Sequence, residues 1–411
     1  MDYSYCTFRQ KLLVAAVSLV LPAVSVAQSS NTDLQKQIDA LQNQVTALNT
    51  EVQQATEWKS PNTLFHMSGY ADVGYAQKES NDGSFAVGTF APIFHYQYRD
   101  TVMMEAELEY EVVDDGETEV ALEYMTIDWF MNDYAALVAG KFLSPIGQFR
   151  QNLHPSWINK LTSAPPGFGH DGAAPISDLG FQIRGGFPMG GMRANYAVFV
   201  SNGPEINAEA EDDGAGGIEG YELDGVAAEG FGTDVDGEKT FGGRIAILPI
   251  PSVEIGFSFA TGMATVTNVE GDDDALPAGT VGSIVGESAR DYDVIGADFV
   301  WFSGNMSLRG EYVKTEVGES TTGVTASEAA EWITWYTQFA YRLPNTKWEA
   351  VLRYTDYDSP HASVDQKQTA VGVNYLVTNN FIAKLTHELN DGLEGADSDL
   401  DLTMLQLAYG F

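Results

Sequence analysis

The chain has one cysteine, Cys6, and it lies ahead of the apolar run that opens the sequence. With that leader removed no thiol remains, which excludes disulfide frameworks, cysteine-containing metal sites and cysteine nucleophiles. Bases are also scarce: 21 Lys and Arg stand against 58 Asp and Glu, a net charge of −37. Such a surface repels nucleic acid and anionic membrane faces. Long apolar runs are lacking beyond the first. Leu12 to Val24 is too short to cross about 30 Å of hydrocarbon as a helix, and no later run approaches the roughly 20 residues required.

What is present begins with Arg9 and Lys11, the apolar run, and Ser25-Val26-Ala27, a small-x-small cleavage pattern. Residues 1–27 therefore read as a secretory signal peptide. Residues 28–57 carry Leu34, Ile38, Leu41, Val45, Leu48 and Val52 at heptad spacing with polar residues between, the seam of a short coiled-coil helix with Asp33 able to cap it. A zipper of this length is marginal alone, so a larger assembly, a homotrimer, is expected to hold its strands together.

From Leu64 the apolar period changes to two. "TVMMEAELEYEVV", Thr101 to Val113, sets Val102, Met104, Ala106, Leu108, Tyr110 and Val112 against Glu105, Glu107, Glu109 and Glu111. Sixteen such segments start near 64, 90, 101, 117, 134, 177, 192, 240, 252, 290, 305, 331, 346, 366, 380 and 400. Every second connection is a short turn, such as Arg99-Asp100, Asn132-Asp133 and Pro344-Asn345, whereas those between are mostly long. A β-sandwich has no reason to sort its loops by parity. An outer-membrane barrel does, because its turns face the periplasm and its loops face outside. The expectation for residues 58–411 is an all-β, 16-stranded antiparallel transmembrane β-barrel, with the coiled-coil segment in the periplasm.

The last strand, "DLTMLQLAYGF", places Leu405, Leu407, Tyr409 and terminal Phe411 on one face. This resembles the C-terminal signature by which bacterial outer-membrane barrels are inserted. At this point residues 64–411 resemble the porins of Gram-negative bacteria. The coiled coil and "GKFLSPIG", Gly140 to Gly147, are most similar to the phosphate-selective porin O and P family. The resemblance implies a water-filled channel, outer-membrane lipids and the barrel assembly machinery as partners, and a pore lined by bases. The sequence departs from that lining, since Glu105, Glu107, Glu109, Glu111, Glu119 and Glu123 fall on the non-lipid faces of the third and fourth strands.

Parity also assigns Lys141, Arg184, Arg193, Arg244, Arg309, Arg353 and Lys384 to the lumen, giving an acidic wall opposite a basic arc. The loop near 143–176 is poor in acids and carries Arg150, His154 and Lys160 with Pro145, Pro155, Pro165 and Pro166 and several aromatics. It is expected to fold inward as a constriction, with Lys141, Arg150, His154 and Lys160 at the throat. Two acidic stretches, 205–239 and "GDDDALP" (Gly271 to Pro277), lack the spacing of a calcium loop and read as solvated loops, so no metal site is assigned.

An enzymatic reading finds no support. The six histidines, His66, His95, His154, His170, His361 and His387, are scattered, and neither G-x-S-x-G nor H-E-x-x-H occurs. No cofactor is implied. The expected function is passive diffusion of small hydrophilic solutes and ions across the outer membrane, anions such as phosphate among them. The alternatives are a cation-preferring general porin and a barrel anchor tethered through its coiled coil.

Overall fold

The computed structural model describes residues 63–79, 82–113, 116–170, 172–212, 218–270, 288–322 and 329–411. The signal segment, the heptad residues and "GDDDALP" lie outside them. In chain order the strands are β1 (Thr63–Lys78), β2 (Ser84–Tyr98), β3 (Val102–Val112), β4 (Thr118–Asn132), β5 (Ala135–Leu143) and β6 (Ser177–Met189). They continue with β7 (Met192–Ser201), β8 (Glu205–Asp212), β9 (Ile218–Ala227), β10 (Thr240–Ile250), β11 (Val253–Glu270) and β12 (Arg290–Ser303). The last six are β13 (Met306–Val317), β14 (Ala330–Arg342), β15 (Trp348–Asp358), β16 (Gln366–Leu376), β17 (Phe381–Gly392) and β18 (Leu402–Gly410).

All but β8 and β9 form one closed antiparallel ring of sixteen strands, with β7 pairing β10 and β18 pairing β1. Closure is sealed at the chain end, where the Gly69 and Phe411 backbones exchange hydrogen bonds of 3.0 and 2.9 Å. A side chain at Gly69 would collide with the Ala91 carbonyl and lie 2.9 Å from the Phe411 ring, so only glycine fits this seam. The expected parity of the loops holds. Short turns such as Gly190-Gly191 and Gly304-Asn305 occupy one end, and the long connections occupy the other. The largest shift in a strand start is in β2, which begins at Ser84 rather than near 90.

The outer face is apolar, with Leu352, Phe257 and Leu385 among its exposed side chains. At the turn end Tyr98, Trp129, Tyr341, Trp348, Tyr375 and Tyr409 are all exposed, which suits rings that bridge hydrocarbon and water. No helix among the described residues is long and apolar enough to cross a membrane. The strands make the crossing, and ring closure pairs their backbone groups where no water can.

Residues 202–239, expected to be a solvated acidic loop, instead contain the β8–β9 hairpin. β8 continues the sheet by pairing in parallel with the end of β11. Its "EINAE" start and the facing strand bury Ile206, Ala208, Leu223 and Val226. These join Val138 and Phe142 of β5, Val294, Val313, Trp332, Tyr336 and Tyr357 of the lumen wall, and Phe149 and Phe168 of the long loop in one apolar cluster. The barrel therefore has an internal core against β11–β15 that reaches round to β5 and β7.

Trp332 is fully buried in that core, and its indole N–H donates to the Asp224 carbonyl at 3.3 Å. Trp332→Ala is expected to remove about 3–5 kcal/mol, read as a lower urea midpoint for the folded barrel in lipid. An unchanged midpoint would mean that the hairpin is not packed on the wall.

Candidate functional site

Lumen-facing positions follow from strand register, and one bulge changes the count. Between Glu107 and Leu108 the β3–β4 ladder slips, so Glu123 is an extra residue on β4. Both sides of the slip remain polar inward: Glu111 faces Glu119 across the ladder, and Glu107 faces Tyr124. The six glutamates thus line one wall. Glu107 is 1% exposed and accepts from the Tyr70 hydroxyl at 2.9 Å, Glu105 lies 3.1 Å from His95, and Glu109 and Glu111 accept from Thr89.

The connection between β5 and β6, residues 144–176, crosses the lumen. It contains a single helical turn, α1 (Phe149–Asn152). Its contacts go almost all round the ring. Gly147 N–H donates to Ser258 on β11, Gln148 to Asp298 on β12, and Phe149 N–H to Glu311 on β13. Pro166 and Ala173 accept through their carbonyls from Thr334 and Thr315. The Phe149 and Phe168 rings meet edge-on at 5.8 Å, and Tyr336 of β14 closes on Phe168 at 5.2 Å. On the far side a Cβ at Gly410 would lie 2.6 Å from the Trp157 ring, so the bare glycine of β18 seats that indole.

The bases of the loop are all engaged. Arg150 lies 3.9 Å from Glu123, His154 lies 3.8 Å from Glu107 and also bonds the Arg150 carbonyl, and Lys160 pairs with Glu349 of β15. Arg150 and His154 face the glutamate wall, whereas Lys160 anchors to β15. They do not form one cluster. Lys141 stands apart from them. The register pairs it with Met125 and Leu179, on the face shared by exposed Ile127 and Phe181, and its ammonium donates to the Leu122 carbonyl at 2.9 Å. Register sets it on the outward face rather than the expected lumen side, with its stem beside Gly230 and its charge acting on Glu229 of the 202–239 segment. β5 is apolar on both faces because Val138 and Phe142 pack on the internal core, so its sequence carries no parity signal.

The wall bases divide in the same way. Arg184 pairs with Asp128 at 2.5 Å, and Arg244 forks onto Asp298 at 2.6 and 2.8 Å while reaching Glu254 at 3.0 Å. Arg193 is exposed on the lumen face near the turn end, and Arg309 lies beneath the loop beside Phe149 and Leu153. Arg353 and Lys384 are 0% and 1% exposed. Arg353 donates to the Ser163 and Ala164 carbonyls at 3.0 and 3.1 Å, and Lys384 to those of Ser156 and Leu161. These two bases hold the loop rather than open lumen.

What stays open is a run of cavities along the acidic wall. One of about 500 Å³ lies by Asp133, Tyr134, Arg184 and Arg244 near the turn end. It shares Gln151, Asn152 and Arg184 with a cavity of about 290 Å³ lined by Glu105 and Glu107. His154 joins the second to a third of about 520 Å³, walled by Asp72, Glu109, Glu111, Glu119, Glu123 and Arg150. Gly169 and His170 join the third to a fourth of about 390 Å³ reaching Lys78, Val364 and Asp397 at the loop end. The residues that frame this path, Asp72, Thr89, Gln151 and Asn152, were missed from the sequence. Thr89 lay in what read as a loop, and short polar residues carry no charge signal.

His170 of the loop pairs with Glu229 of the 202–239 segment. The hydrogen bond to Glu229 raises the His170 pKa above its ordinary value, and the same bond holds Glu229 below the usual carboxylate range. The raised imidazole stabilises the contact fully below about 6.5 and stops doing so as pH climbs through its folded value. The depressed carboxylate acts from above about 4.3 and fails as pH falls through its folded value. In an NMR titration His170 is expected to show a midpoint above that of a free imidazole, returning toward it in Glu229→Gln. Equal midpoints would dissolve the pair.

A comparison with curated proteins gave no match. The family described as "Phosphate-selective porin O and P" matches residues 256–392, from within β11 to the end of β17, and so not the "GKFLSPIG" passage. Among solved structures the chain is similar to the anion-selective porin from Comamonas acidovorans, at 16% identity and TM-score 0.54 over 85% of this chain and 100% of that one. It is also similar to OmpF of Salmonella typhi in complex with daunomycin, at 12% and 0.52 over 85% and 98%. The trimer form of OmpT, an outer membrane protein of Vibrio cholerae, gives 11% and 0.51 over 85% and 99%. These identities speak for the fold. The chain thus shares the closed sixteen-strand barrel of the outer-membrane porins, and over β11–β17 it is similar to the phosphate-selective porin O and P family.

Proposed function

We propose that the barrel is a passive diffusion channel for small hydrophilic solutes and ions, with residues 144–176 as its constriction. The observation that carries this is the chain of cavities with shared walls from the turn end to the loop end. A sixteen-stranded barrel is too wide for its own side chains to fill, and here the infolded loop crosses it and leaves the open path along the acidic wall. Arg150 and His154 stand across the path from Glu109, Glu119 and Glu123, so a passing solute meets a transverse field. Channel rather than enzyme is the reading, because His154 and His170 of the constriction are tied to a carbonyl and a carboxylate, with no nucleophile paired to either among the described residues.

Passage of anions such as phosphate is supported by the family match and by the anion-selective relative. A second reading, cation preference, is favoured by the third cavity, where five carboxylates face Arg150 and two histidines while Arg353 and Lys384 are buried under the loop. The assembly we infer is a homotrimer, as in the trimer form of the Vibrio cholerae relative. Leu405, Leu407, Tyr409 and Phe411, all outward and exposed, suit recognition by the assembly machinery and contact with lipid.

In planar bilayers the purified protein is expected to give stepwise currents, and intact trimers without steps would end the channel reading. Arg353→Ala removes charged donors from two loop carbonyls, each bond worth about 1.5–3 kcal/mol, and is expected to give larger, noisier steps. Unaltered steps would mean that Arg353 does not anchor the constriction. For selectivity, Glu109→Gln with Glu119→Gln should move the reversal potential in a KCl gradient toward anions, and Arg150→Ala toward cations. A potential that ignores both would place the narrowest point elsewhere.

A further inference from the structure

At the turn end of the lumen two imidazoles meet nitrogen to nitrogen. His66 is the fourth residue of β1 and His95 the fourth from the end of β2, and the ladder sets them directly opposite each other. Both share the inward face with Glu105, the ladder partner of His95 on β3. The two Nδ1 atoms lie 3.5 Å apart, while the rings are tilted by 43° with centroids at 5.5 Å, so ring edges rather than faces are in contact. On its other side His95 directs Nε2 at the Glu105 carboxylate, 3.1 Å away, and that carboxylate also accepts from the Tyr124 hydroxyl. We propose that the two Nδ1 atoms bind one divalent cation of the copper, nickel or zinc class at the turn-end outlet of the barrel, with Glu105 as the positioning residue.

Three independent features support an ion here. The first is the tautomer. A neutral imidazole has one N–H, and Glu105 takes it at Nε2 of His95, which turns the Nδ1 lone pair toward His66. A carboxylate behind an imidazole fixes the tautomer and raises the basicity of the nitrogen on the far side, as it does for metal-bound histidines. The second is the spacing. A proton shared between the two Nδ1 atoms is the competing account, but protein N–H hydrogen bonds span about 2.7–3.2 Å. Two nitrogens about 2.1 Å from an ion stand about 3.4 Å apart in a tetrahedral shell, so the observed 3.5 Å suits a shared ion better than a shared proton. The third is the frame. Neither imidazole is on a loop, and β1 and β2 pair without a slip from Thr63 to Ala71, so the ladder itself holds the two ligands face to face.

The donor pair also chooses the ion. Calcium and magnesium take oxygen ligands, whereas two imidazole nitrogens select copper, nickel or zinc. With two protein ligands the remaining positions go to water, so the ion is held without being caged. Glu105 also lines the second cavity of the open path. On the diffusion-channel reading the ion therefore stands where solutes leave the barrel, and it adds positive charge beside that cavity's two glutamates.

The test is titration of the untagged, detergent-solubilised protein with CuCl₂, followed by pulsed EPR. Expected are two coordinated imidazole nitrogens in the parent protein, and one with weaker binding in His66→Ala and in His95→Ala. Glu105→Gln keeps an acceptor behind His95 but removes its charge, so both nitrogens should remain while affinity falls by about 10–100-fold. Heat-modifiable migration on gels verifies that each variant is folded. Absence of binding, or a two-nitrogen spectrum that persists in folded His66→Ala, would overturn the proposal and leave the imidazoles as a hydrogen-bonded pair. Equal affinity in Glu105→Gln would overturn the positioning role. Because the readout is binding, it does not depend on whether the barrel conducts.

Discussion

Everything in this molecule follows from one constraint, that a backbone amide or carbonyl in hydrocarbon must find its partner within the protein. An open sheet leaves two unpaired edges, so β18 must meet β1, and the Gly69–Phe411 exchange marks where it does. Ring closure fixes which side chains face lipid and which face inward. With sixteen strands the inward side is larger than wall side chains can fill. The loop at 144–176 and the β8–β9 hairpin are the protein's answer to that remaining space.

They fill it unevenly, and the reason is desolvation. Against β11–β15 the loop and hairpin bury Phe149, Phe168, Leu223 and Val226 on lumen-facing Val313, Trp332 and Tyr336. Such a core strands the carbonyls of an irregular loop away from water, and each needs a donor. Arg353 and Lys384, themselves buried, have the converse need for acceptors. The two requirements answer each other at Ser163, Ala164, Ser156 and Leu161. Water is left the other side, where the glutamates of β3 and β4 can stay hydrated.

The ring was legible in sequence because two signals reinforced each other: period-two alternation gave the strands, and loop length by parity gave their direction. The glutamate wall was legible for the same reason, since "EAELEYE" alternates strictly. Lys141 was not, because β5 packs apolar residues on both faces and parity fails wherever the lumen itself has a core. The hairpin was hidden by composition. Glu205, Asn207 and Glu209 alternate with Ile206 and Ala208, a strand pattern, but the density of acids drew the reading toward a solvated loop. The loop's basic residues could be found from sequence, yet their partners could not. Pairing Lys160 with Glu349, or His154 with Glu107, depends on contacts across the ring that local pattern does not encode.

This has a consequence for how charge along the path should be counted. A net charge of −37 describes the whole chain, yet at physiological salt a charge acts over about 8 Å, so only side chains bordering the open cavities matter to a solute. Among these, Arg244 stands between Asp298 and Glu254, and Arg184 faces Asp128, so the turn-end cavity is close to balanced. The third cavity is different. Glu109 and Glu111 there accept from the Thr89 hydroxyl rather than from a base, and Arg150 lies 3.9 Å from Glu123, too far for a tight bridge. The field along the path is therefore set by a few incompletely compensated groups around Arg150, not by the seven bases that the wall appeared to offer.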